Sequence, residues 1–99
     1  MENNCCSTRK RERNEEEMRA LVARLNRMEG QVRGIRRMLE EDAYCTDILT
    51  QTAAVSAALN AFRRELLALH IRTCVADGIR RGDDEVIDEL VCVLQKLMK

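Results

Sequence analysis

From Leu21 the apolar positions advance in steps of four and three, through Leu25, Met28, Val32, Ile35 and Leu39. That alternation is the seam of a helix packed against other helices. A second seam runs Ile48, Thr52, Val55, Leu59, Phe62, Leu66 and Leu69, and Cys45 extends it one step backwards. A third segment sets Ile87, Leu90, Val91, Leu94, Leu97 and Met98 at helical spacing, as the buried face of a shorter helix. Asp42 and Thr46 are candidate caps between the first two helices, so the first is expected to end near residues 41–43. Gly78 and Gly82 bracket the next turn, and Asp83 or Asp84 can cap the third helix. Gly30 and Gly34 interrupt the first seam at about 1 kcal/mol each relative to Ala. They are read as places where a neighbouring backbone comes close. Residues 1–14 carry no such pattern, so a flexible N-terminal tail is expected ahead of a single helical domain at 15–99.

Composition agrees with helices throughout. Pro and Trp are absent, there is one Phe and one Tyr, and no β-branched or aromatic run suggests a strand. The fold class is all-α. Two long seams present more apolar surface than a short third helix can cover, so self-association is expected.

Net charge is zero, but the charges are segregated. Six arginines (19, 24, 27, 33, 36 and 37) stand against Glu29 alone between Arg19 and Arg37, whereas six acids outnumber Arg80 and Arg81 from Asp77 to Glu89. Such an asymmetry fits one face built for an anionic partner. No stretch is long and apolar enough for a membrane span, and the polar N-terminus does not read as a secretory signal. Five cysteines without such a signal point to a reducing, cytoplasmic setting in which clustered Cys and His are reactive or metal-binding.

The chemistry gathers at three positions. His70 and Cys74 are four apart on the second helix, so one face can present both to a single ion. Cys45 lies 25 residues before His70, which on a straight helix is ~37 Å away. In an antiparallel dimer the start of this helix in one chain would lie beside its end in the other, and Cys45 would meet the partner's pair. Two thiolates and an imidazole suit copper(I), whereas zinc normally takes a fourth ligand. Tyr44, and Glu89 or Glu85 in the third helix, are candidate acceptors for the free ring N–H of His70. Cys92, opposite the apolar stripe of its helix, reads as an exposed incidental thiol, and no essential role is assigned to Cys5 and Cys6 in the tail.

The run RLNRMEGQVRGIRRMLEEDAYCTDILTQTAAVSAAL (24–59), followed by HIRTC (70–74), resembles the copper-sensitive operon repressor (CsoR) family, and the likeness extends from about Leu21 to Leu97. The resemblance implies a three-helix protomer, an antiparallel dimer and a disc-like tetramer. It implies operator DNA bound without inducer, and copper(I) as the inducer that releases it. Cys45, His70 and Cys74 fall on the family's inducer positions in the copper(I) pattern, and Tyr44 and Glu89 on the outer-shell positions. Nickel and cobalt sensors of the family add a histidine where this chain has Arg13, formaldehyde sensors use an N-terminal proline that it lacks, and sulfur sensors generally lack the histidine that it has as His70.

On this reading Arg24, Arg33, Arg36 and Arg37 of the first helix bind DNA, with Arg63 and Arg64 possible contributors from the second. The alternatives are a persulfide or thiol-reactive repressor using Cys45 and Cys74, and a cytoplasmic copper carrier. No paired carboxylates, nucleophile–base pair or phosphate loop is visible, so an enzyme is not expected.

Overall fold

A computed structural model of the chain describes residues 15–98, all of its regular structure helical. The tail at 1–14, with Cys5, Cys6 and Arg13, lies outside the described residues. Helix α1 spans Glu15–Glu40, α2 Cys45–His70, α3 Ala76–Arg80 and α4 Glu85–Leu97. A π-helical turn, Ile71–Val75, joins α2 to α3 without leaving helical backbone angles at either end, so the protomer is a three-helix one with a widened turn in the second helix.

Helix α1 opens on Glu15, Glu16 and Glu17 and closes on Arg37, an order that complements its dipole. Ion pairs one turn apart link Arg19 to Glu15, Arg33 to Glu29 and Arg36 to Glu40 along its surface. It ends in a Schellman motif. Asp42 takes φ 58°, its N–H bonds the Leu39 carbonyl at 3.3 Å, and the Ala43 N–H bonds the Met38 carbonyl at 2.9 Å. Asp42 is therefore the left-handed stop of α1 and not a cap of α2. The Tyr44 carbonyl heads α2, accepting the N–H groups of Asp47 and Ile48, and Thr46 lies inside the first turn.

The described residues divide into two compact units, one ending at Leu66 and the other beginning at Leu67. In the first, the short 41–44 connection turns the chain back, and the Arg24 guanidinium reaches Glu65 at 3.9 Å, so α1 and α2 run antiparallel. The packed stripe of α1 is Leu21, Arg24, Met28, Gln31, Ile35 and Met38, with Met28 its one buried member. Leu25, Val32 and Leu39, expected on the buried seam, are exposed. The physical reason is that α1 carries two adjacent apolar stripes and the chain itself covers only one. Leu59 in the seam of α2 is likewise exposed, as is Leu49 beside it.

In the second unit Val75 of the π turn and Val86 of α4 form the core, with Cys74 and Leu90 packed against them. Val86 is 1% exposed and rests on Gly78. Gly82 (φ 79°) closes a second Schellman motif. Its N–H bonds Ile79, the Asp83 N–H bonds Gly78 at 2.8 Å, and the Asp83 carboxylate takes the Glu85 N–H as α4 begins. The packed face of α4 runs through Val86, Leu90, Val93 and Leu97, while Ile87, Val91 and Met98, expected inside, are exposed. Here too the helix has neighbouring apolar stripes, and the bulk of Val86 against a bare glycine fixes which one turns inward. Among the described residues no helix is long and apolar enough to cross a membrane.

Candidate metal centre and nucleic-acid face

Cys45 is the first residue of α2, exposed and unbridged. It stands on an open stripe with Leu49, Thr52, Ser56 and Leu59, all exposed in the single chain. His70 is the last residue of α2 and Cys74 sits in the π turn that follows, both half-buried. The α-helical one-turn pairing expected of these two is thus replaced by a wider turn. Such single-turn π insertions recur at functional sites, because they re-aim side chains that a regular helix would stack. The Thr73 hydroxyl donates to the Leu69 carbonyl at 2.7 Å inside this turn. Nothing in the apolar pattern signals the π geometry.

Cys74 touches the Val75–Val86 core, so the thiol is in the layer that docks α4 onto the end of the long helix. On α4, Glu89 is half-buried, and its Oε1 is shut off from solvent with no hydrogen-bond partner among the described residues. An acceptor desolvated in that way costs about 1–3 kcal/mol until a donor reaches it. Tyr44 is 72% exposed immediately before Cys45. Cys92, expected at the surface, is half-buried instead, because it follows Glu89 by nearly one turn on the flank of the packed face. Among the described residues of one chain, no three His, Cys, Asp or Glu side chains converge in a way that could hold a metal ion.

The arginines divide by their partners. Arg24 pairs with Glu65, Arg33 with Glu29 and Arg36 with Glu40, while Arg63 donates to the Asn60 side-chain oxygen at 3.2 Å. Arg27, Arg37 and Arg64 are exposed, and among the described residues none of them makes an ion pair. Arg27 was not among the candidates drawn from the sequence. Its signal was there, since no acid lies three or four positions to either side of it. Gly30 and Gly34 do not serve a close approach within the chain. A Cβ at Gly34 would meet nothing within 4 Å, and one at Gly30 only the Arg33 guanidinium at 3.9 Å.

Residues 17–96 match the family model for metal-sensitive transcriptional repressors. The copper-sensing transcriptional repressor CsoR of Bacillus subtilis (strain 168) is 50% identical over 80 residues, which is 80% of this chain and 79% of the relative. The crystal structure of the copper-sensing repressor CsoR with Cu(I) from Geobacillus thermodenitrificans NG80-2 superposes with TM-score 0.86 at 42% identity, over 90% of this chain and 94% of that one. The nickel-responsive transcriptional regulator InrS gives TM-score 0.72 at 32% identity, over 87% and 98% of the two chains. By sequence and by fold alike, the chain belongs to the metal-sensitive transcriptional repressor family.

Proposed function

We propose that the chain is a cytoplasmic repressor that holds operator DNA in its metal-free form and releases it on binding copper(I) at Cys45, His70 and Cys74. Two soft thiolates and one imidazole are a donor set that favours copper(I) over harder or four-coordinate ions. The relatives named for copper sensing support the same metal. Copper(I), when bound, supplies a strong low-coordinate bond to each sulfur and draws the donors together.

The observation that carries the reading is the position of His70 and Cys74 at the π turn whose core seats α4. A ligand held there acts on the contact between the long helix and α4. His70 orients through its second ring nitrogen, for which the unpartnered Glu89 carboxylate and the Tyr44 phenol are the proposed acceptors. Cys45, an unbroken α2 away from His70, comes from a second chain. The exposed stripes of α1 (Leu25, Val32, Leu39) and α2 (Leu49, Leu59) support such a partner, first as an antiparallel dimer and then as a disc-like tetramer. Arg24, Arg33, Arg36 and Arg37, with Arg63 and Arg64, form the DNA face. Those of them held by carboxylates exchange these partners for phosphates on binding.

The test begins with a duplex selected from a random pool by the metal-free protein. Its fluorescence anisotropy is followed as copper(I), nickel(II), formaldehyde and polysulfide are added separately. Release by copper(I) alone is expected. Release by polysulfide and not by copper(I) would assign the switch to a disulfide or polysulfide bridge between Cys45 and Cys74, and failure to select any duplex would refute the repressor.

A further inference from the structure

Arg27, Gly30, Gly34 and Arg37 follow one another along α1 at steps of three, four and three, and so share one stripe of the helix. The two arginines are exposed, and among the described residues no carboxylate pairs with either, in contrast to Arg19, Arg24, Arg33 and Arg36 on the same helix. Between them this stripe holds only Gly30 and Gly34 and so presents no side chain, although glycine is a poor helix former and nothing within the chain requires it at either place. The stripe lies on the far side of α1 from the exposed apolar residues Leu25 and Val32, the side chemically suited to a second copy.

We infer that this stripe is pressed against the DNA backbone, with Arg27 and Arg37 on phosphates and Gly30 and Gly34 bringing the helix axis close to the duplex. The inference rests on the repressor reading above and gives its DNA face a centre. Ten residues separate the arginines, or ~15 Å along the axis, comparable to the ~12 Å width of the major groove. They therefore reach separate phosphates and not one base pair. Their charge is available without breaking an ion pair, so they make the first contacts. The chemistry is that of a polyanion, and the match is one of charge and approach distance, which makes it independent of base sequence.

The experiment compares the full-length wild type with Gly30→Gln/Gly34→Gln, Arg27→Ala/Arg37→Ala and Arg27→Lys/Arg37→Lys on the selected duplex over a range of salt. Gln is a good helix former without charge, so the glycine variant should fold, keep its oligomeric state in sedimentation, and bind the duplex at least tenfold more weakly. The alanine variant should weaken binding by at least tenfold and lower the salt slope by about one per contact removed. The lysine variant, which keeps the point charge, should stay within about threefold of wild type. Wild-type affinity in the folded glycine variant overturns the inference. So does a changed oligomeric state, which would give the stripe to a second copy, and so does a lysine variant as weak as the alanine one, which would move the arginines to base edges. If the wild type selects no duplex, the repressor reading itself fails, an outcome distinct from all of these.

Discussion

Val86 stands so close to Gly78 that a Cβ on the glycine would fall 2.6 Å from its Cγ1 and 2.7 Å from its Cγ2. The contact joins α4 to α3 at the only fully buried large side chain among the described residues, beside the thiol of Cys74. One methyl group here has no room unless the buried valine shifts.

Gly78→Ala should therefore lower stability by about 1–3 kcal/mol, the usual cost of overpacking. Urea denaturation followed by circular dichroism reads the change in midpoint. Gly78→Ala/Val86→Ala, which makes room for the methyl, should recover part of the loss. A wild-type midpoint for Gly78→Ala would mean that α4 is not seated on this glycine.

Asp42 offers the opposite case, a residue with a side chain in a left-handed conformation. Asp42→Gly removes the steric cost at the end of α1 and, after the larger unfolded-state entropy of glycine, should stabilise by about 0.5 kcal/mol. Asp42→Val, with a branched Cβ, should destabilise by about 1–2 kcal/mol. Thermal unfolding of the three proteins gives the order. Equal melting temperatures for the glycine and valine variants would contradict the Schellman geometry.

The same two turns show what was legible in the chain. Helix existence, the turn at Gly78–Gly82 and the capping role of Asp83 follow from spacing and from residue type. Asp42 reads as a cap of α2 from its type alone and is instead the stop of α1, because an aspartate serves both as an N-cap and, less often, as a left-handed stop. Which stripe of α1 and α4 turns inward was not legible, since Leu25 and Met28, or Val86 and Ile87, are alike in apolar character and differ only in what faces them. The π turn at Ile71–Val75 leaves no trace in the spacing of the apolar residues. For the arginines, Glu15, Glu40 and Glu65 lie outside the segment from Arg19 to Arg37, and they hold Arg19, Arg36 and Arg24.

A site completed by two chains has a specific consequence. Cys45→Ala protein mixed with His70→Ala/Cys74→Ala protein should regain one intact copper(I) site per mixed dimer, although neither parent has one. Copper(I) binding in competition with a chromophoric chelator measures the recovery. Mixed dimers that form and bind no copper(I) would return all three donors to a single chain.

Capture and release should separate at His70. The sulfurs supply most of the affinity for so soft an ion, while the ring is the donor with a second nitrogen to offer Glu89 or Tyr44. His70→Ala should bind copper(I) more weakly yet stay on the duplex when saturated. Cys45→Ala should lose both binding and response. A full wild-type release by His70→Ala would remove the imidazole from the relay.

The most direct measurement of copper(I)-driven release is a titration of copper(I) into the wild-type protein–duplex complex under anaerobic conditions, with anisotropy and metal content read on the same sample. A coupling of about 1–3 kcal/mol corresponds to a loss of roughly 5- to 150-fold in affinity. The expected result is at least a tenfold loss, complete when one copper(I) is bound per chain. Saturation at that stoichiometry with the duplex still held at its metal-free affinity would contradict it.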